Sequence, residues 1–327
     1  MDREGFRAYL ETRRASGEAI ERSLALAERW EAFARAAGHA SVAEAPADIA
    51  SALSRVLIDR GENAYDAFLA LARYARFVDN RDAFVILLET IDGHEAFPNL
   101  FRKTGEALGK ATRDRVFAGQ EIPPLGVSNL DRSRRMRVVV ARLEAEAGRD
   151  GAEEIIGQGL RDLPDEAFAE ERRRFEEAGG LDEYLRRKGD AFIAELERIR
   201  DEGSLYFSQP ISDAVIEFVE SRPEIRQGVR VGGVLYEAKI PYMAVEYLRE
   251  TDPRLRAYYY CHCPWARESL RRGEEAVSGT FCACSGAFHR KPYEVLFGQT
   301  LASEVLETVL DGDPWCRFAI HLPEGVA

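Results

Sequence analysis

From Phe6 to about Arg200 apolar side chains return at intervals of three and four, as in "AIERSLALAERWEAFARAAG" and "AYDAFLALARYARFVDN". That period fits helices carrying one apolar stripe each and excludes the two-residue alternation of strands. Ala, Leu, Glu and Arg dominate these stretches, and all four favour helix. Interruptions fall at Gly38, at Pro46–Asp48, at Arg60–Asn63, at "GQEIPPLG" (Gly119–Gly126) and at Gly179-Gly180. The sequence therefore predicts an all-helical N-terminal region. Its clearest linker is "IPPLGVSN", which sets a boundary near Ile122 and gives a helical domain over 1–121 and a helical connecting region over 122–203. Within the latter, Pro164 precedes Asp165 and Glu166, placing negative charge in a helix's first turn, where the dipole favours it.

The texture changes after Ser204. "SDAVIEFVESR" still reads as a helix, but "GVRVGGVLYEAKIP" reads as a hairpin turning at Gly232-Gly233. "YMAVEYLRE" reads as a short helix, "LRAYYYCHC" as a strand ending at Pro264, and "PWARESLRRG" as a helix with Pro at its first position. "LASEVLETVL" and "CRFAIHL" flank the turn signal "DGDP" and form a second hairpin. The fold class predicted is α+β: helices first, then a cysteine-rich domain over 204–327 with a mainly antiparallel sheet and further helices.

The chain of 327 residues is 46% hydrophobic and 31% charged, enough for at least one large core. It has no uninterrupted apolar run of the length a membrane helix needs, and its N-terminus is charged from the second residue, so a cytoplasmic protein without a membrane partner is expected. A net charge of −12 opposes broad attraction to nucleic acid, and Arg132, Arg134, Arg135 and Arg137 read as a solvated helix face. A small-molecule substrate or ligand is the expected partner; nothing in the sequence sets an oligomeric state.

All five cysteines, Cys261, Cys263, Cys282, Cys284 and Cys316, lie in the last part of the chain, with His262, His289 and His321. In an extended Tyr258–Cys263 segment Cys261 and Cys263 would share a face and His262 would point away. "FCACS" repeats the pair, so two C-x-C groups stand eighteen residues apart. Four thiolates from Cys261, Cys263, Cys282 and Cys284 would fill a tetrahedral site, for which zinc is the expected ion. Buried thiols behaving as small hydrophobes are the alternative, and Cys316, in phase with Phe318 and Ile320, fits it best. A third reading is nucleophilic: Cys263 stands before Pro264 at an expected helix start, which would favour the thiolate, with His289 as proton partner. Arg267 would hold a substrate carboxylate, against the plainer alternative of a surface ion pair, which also covers Glu268. Tyr258, Tyr259 and Tyr260 suit a pocket wall or an ordinary covered sheet.

Three stretches, "CHCPWARESL", "GTFCACSGAF" and "ETVLDGDPWCRFAI", together resemble the C-terminal part of aminothiazoline-carboxylate hydrolase-like bacterial proteins, and the last also resembles the ending of 4-vinyl reductase domains. The resemblance spans about sixty residues and implies a small-molecule-binding domain in which Cys263, Cys282 and Cys316 are the family cysteines. The zinc site of the sensor-type domains does not transfer, because Thr308 and Val305 stand at its positions, and Ser285 stands where the hydrolase-like pattern has an acid. The helical N-terminal pattern is similar to the core-binding domain of tyrosine recombinases, with no recombinase catalytic set following it. The expectation is a thiol- or metal-dependent hydrolase-like enzyme cleaving a carbon–heteroatom bond with Cys263, His289 and Arg267; the alternative is a non-catalytic sensing module built on structural zinc.

Overall fold

The computed structural model describes residues 1–325; the last two positions of the expected 204–327 domain lie outside the described residues. The chain divides into two compact units. One comprises residues 1–94 and 122–132, the other residues 95–121 and 133–325.

The first unit is helical throughout: α1 (Arg3–Thr12), α2 (Gly17–Ala36), α3 (Ala47–Asp59), α4 (Tyr65–Phe77) and α5 (Arg81–Ile91). Short polar side chains start these helices by accepting otherwise unpaired N–H groups: Asp2 from Gly5, Ser16 from Ala19 and Asn80 from Ala83. The other end of the Asn80 amide donates to the carbonyls of Val42 and Ala45, at 2.7 and 2.9 Å, so one residue caps α5 and pins the preceding loop. Phe6, Leu24, Trp30, Phe68, Leu71 and Leu87 close the core. Tyr74 meets Phe6 edge-on and donates its hydroxyl to the buried Glu31 carboxylate at 2.5 Å. Arg132 corrects the reading of a solvated arginine face. It is 1% exposed and donates to the carbonyls of Glu89, at 2.9 Å, and Thr90 in the last turn of α5.

The second unit begins with α6 (Ala96–Leu108) and α7 (Lys110–Val116) and resumes along α8 (Asn129–Gly157), which kinks at Gly148, where φ is +72°. Arg134 and Arg137 on α8 pair with Glu274 and Glu275. After Pro164 come a short 3₁₀ turn (Asp165–Phe168), α9 (Ala169–Ala178) and α10 (Leu181–Glu202), then α11 (Asp213–Glu220) and α12 (Pro223–Arg226). Both expected hairpins form. Strands β1 (Val229–Val231) and β2 (Val234–Ala238) turn at Gly232-Gly233, and β3 (Ala302–Glu307) and β4 (Arg317–His321) flank the Asp-Gly-Asp-Pro turn. They join into one antiparallel sheet of order β1-β2-β4-β3, so the fold is α+β as expected.

Between the hairpins lie α13 (Ala244–Arg249), α14 (Pro253–Tyr260), α15 (Arg267–Arg272) and α16 (Ala283–Phe297). Here the sequence reading needs two corrections. The tyrosine run is the end of α14, not a strand: Asp252 caps it, accepting from Arg254 and Leu255, and Pro253 fills the first turn. The following helix starts at Arg267 rather than Pro264, after a turn in which the Cys263 carbonyl accepts from Ala266 and Arg267. Across the sheet, α10 and α16 share a core: Leu181, Tyr184 and Leu185 meet Leu235 and Ile320 from the sheet and Tyr293 and Leu296 from α16. Gly286 lets α16 come close, since a Cβ there would lie 3.2 Å from Ser303 Oγ and 3.7 Å from the Phe318 ring.

Candidate functional site

Two segments that are remote in sequence meet above β2 and β4. The first is the exit of β2, Lys239–Met243, which is tied to the end of α14: Met243 N–H donates to the Tyr259 carbonyl at 2.9 Å, Tyr260 Oη donates to the Lys239 carbonyl at 2.5 Å, and His262 Nε2 donates to the Ile240 carbonyl at 2.7 Å. The second is the 3₁₀ turn Gly279–Cys282 that leads into α16. Its start is fixed by Asp311, which accepts the Gly279 N–H at 3.0 Å, and by Glu144, which accepts from Ser278 and Thr280. A Cβ at position 279 would lie 2.1 Å from the Asp311 carboxylate, so any other residue there would push that anchor aside.

This anchoring brings the expected cysteines together. Cys261, Cys282 and Cys316 are buried in one core that includes Trp265, Phe281 and Phe318, and the half-buried Cys263 and Cys284 pack against it. The thiols stand close enough to feel each other's charge: Cys263 that of Cys261 and Cys284, Cys282 that of Cys316, Cys261 and Cys263. The strand alternation expected for Cys261 and Cys263 does not bring this about. Both follow α14, and the turn into α15 sets their directions.

The expected activated thiolate does not hold at rest. Burial, then the neighbouring Cys261 and Cys284, push the Cys263 thiol up, outweighing the Trp265 N–H and Lys239, which pull it down. Burial and Cys316 raise Cys261 to about 11, burial raises Cys284 and Cys316, and Cys282 rises well above the ordinary range. Cys282 Sγ lies 2.9 Å from Thr308 Oγ1, so Thr308 serves as its hydroxyl partner. All five groups are therefore neutral thiols near pH 7. Among the described residues no three His, Cys, Asp or Glu side chains form a group that can hold a metal ion.

A buried charged network centres on Glu237, and the sequence reading had picked out only His289 of its members. Glu237 on β2 accepts from Lys188 Nζ at 2.9 Å, from Tyr293 Oη at 2.6 Å and from His289 Nδ1 at 2.8 Å. Burial alone would raise this carboxyl, but Lys188, His289 and Tyr293 together bring it down to about 2, so it is ionised. His289 is lowered by burial against the pull of Glu237 and is neutral near pH 7. Its Nδ1–H is spent on Glu237, so Nε2 carries the free lone pair, and the ring stacks on Phe318 at 4.7 Å. His262 is likewise neutral: burial, then Lys239, lower it to about 3. Lys239 Nζ donates to Ser285 Oγ at 3.1 Å in the first turn of α16 and stands 6.0 Å from the ring centres of Phe288 and Phe318. One sequence signal was available for this network. Positions 235 and 237 share a face of β2 and read Leu then Glu, an acid where an apolar face would continue.

Arg267 occupies a different place from the one its expected role requires. It is 1% exposed, with Tyr242 and Tyr258 at 4.4 and 4.2 Å from its guanidinium carbon and Nη2 against Met243 Sδ at 3.2 Å. It braces the tyrosines rather than facing solvent. Glu268, read as a surface residue, is 9% exposed and accepts from Arg271 and Arg272.

No protein-family model, curated protein or solved structure matches the chain. No helix of the described residues is long and apolar enough to cross a membrane.

Proposed function

We propose that the second unit acts on a small organic molecule where Cys263, Cys284, His289 and Lys239 meet, and that it does so by hydrolase-like cleavage of a carbon–heteroatom bond. The observation that carries the reading is the His289–Glu237 pair together with Lys239, whose charge reaches His289 and both half-buried thiols, Cys263 and Cys284. Glu237 fixes the imidazole through Nδ1 and stabilises the imidazolium that forms when Nε2 takes a proton, the arrangement a general base needs. Cys263, neutral at rest, becomes a nucleophile when that proton leaves, directly or through one water, and Lys239 favours the thiolate so formed. Sulfur then bonds to the electrophilic carbon, the heteroatom leaves with a proton from His289, and water releases the product by the reverse transfer.

The test uses 4-nitrophenyl acetate as probe and intact-mass analysis of the full chain. Expected are an acetyl adduct on Cys263 that turns over, no adduct in Cys263→Ser, and an acylation rate lowered about a hundredfold or more in His289→Gln, the lower end of general-base contributions. Equal 4-nitrophenolate release by wild type and Cys263→Ser would overturn the reading. Stoichiometric zinc in protein purified without added metal, lost in Cys263→Ser, would replace it with the structural-zinc alternative.

A further inference from the structure

We propose that Lys239 and Ser285 form the receptor for a small oxyanion, so that the molecule brought to the thiols carries a carboxylate- or phosphate-type group. This names the substrate class of the site above and rests on that reading for the reaction, though not for the binding. The argument begins with charge. Lys188 and Lys291 of the same unit pair with Glu237 and Asp165, whereas Lys239, half-buried, has no carboxylate within ion-pair distance among the described residues. Its one hydrogen-bond partner is the Ser285 hydroxyl at 3.1 Å, which uses one of the three ammonium hydrogens.

The closest acid of the neighbouring network, Glu237, is already engaged by three donors. A cation withdrawn part-way from water without a counter-charge is costly, and an incoming anion removes that cost. Ser285 accepts from Lys239 and keeps its own hydrogen, so ammonium and hydroxyl can both donate to one oxyanion. Phe318 is buried at the floor and Phe288, 44% exposed, stands on the solvent side, giving the ligand's body apolar walls. Arg267, the cation expected for this task, is covered by its two tyrosines, which leaves the role to Lys239.

The experiment is calorimetric titration of the full chain with two probes, benzoate and inorganic phosphate, each up to about 10 mM, a range that reads millimolar dissociation constants. Binding of benzoate alone identifies a carboxylate, binding of phosphate alone a phosphoryl-type group, and binding of both the shared oxyanion chemistry. Lys239→Met is expected to weaken binding about tenfold or more and Lys239→Arg no more than about threefold. Lys239→Gln serves if the Met variant fails to give the wild-type circular dichroism. Absence of binding by either probe to wild type, or equal affinity in wild type and the neutral Lys239 variant, overturns the proposal. Cys263→Ser separates the two readings. Anion binding retained there without acylation in wild type sinks the reaction alone; acylation of Cys263 without anion binding sinks the receptor alone.

Discussion

Replacing Glu237 by Gln keeps the shape of the side chain and removes the charge on which Lys188, His289 and Tyr293 converge. The carboxyl is brought from its usual 4.5 to about 2 in the folded chain, and that difference corresponds to about 3 kcal/mol of stabilisation of the ionised form. Breaking a buried pair by removing one partner costs about 3–5 kcal/mol, in agreement. Because the folded value lies below the unfolded one, this stability is fully present above about pH 4.5 and is lost as pH falls toward 2. His289, lowered by burial, also gives up stability as pH falls below its ordinary 6.5, so the informative quantity is the difference between the two proteins. Urea unfolding followed by fluorescence, with Trp265 and Trp315 reporting the second unit, should show Glu237→Gln less stable by about 3 kcal/mol near pH 7. That gap should begin to narrow below about pH 4.5 and close as pH approaches 2. A gap under about 1 kcal/mol near pH 7, or one unchanged between pH 7 and pH 3, would refute the account of the network.

Two further outcomes follow from the same geometry. Alkylation of Cys263 by iodoacetamide in the folded protein should keep accelerating above about pH 10, where an ordinary thiol of pKa about 8.5 has levelled off; a plateau below pH 7 would restore the activated thiolate. Phe318→Ala removes a fully buried ring that also stacks on His289, and should cost about 3–5 kcal/mol in urea unfolding while shifting the His289 ring protons in NMR spectra. A loss below about 1 kcal/mol would mean that the ring does not hold the floor of the site.

The sequence made most of the elements legible because their signals are local. The three-to-four-residue period marks helices, and the glycines and prolines at Gly38, Pro46, Gly179 and Gly180 fall between them as expected. Gly232-Gly233 and Asp-Gly-Asp-Pro mark the two hairpins. The tyrosine run misled because aromatic residues favour strands on average, while Asp252 as cap and Pro253 in the first turn were the stronger local signal. The clustering of the thiols was legible as paired spacing, but the reason given for it was not the operative one. A turn before α15 and an Asp311-anchored 3₁₀ turn before α16 bring them together.

What the chain determines by itself is therefore its helices, its two hairpins and the concentration of thiols near its end, all written in neighbouring residues. Which charges are matched is decided only in three dimensions. Lys188 and Glu237 lie far apart in sequence and meet because α10 crosses β2, whereas Lys239, two residues from Glu237, points to Ser285 and meets no acid. Tertiary packing likewise pushes the cysteine thiols up, against the activated thiolate the sequence suggested for Cys263. Burial acts on ionisation through the whole surrounding volume, and no spacing of residues along the chain records that volume.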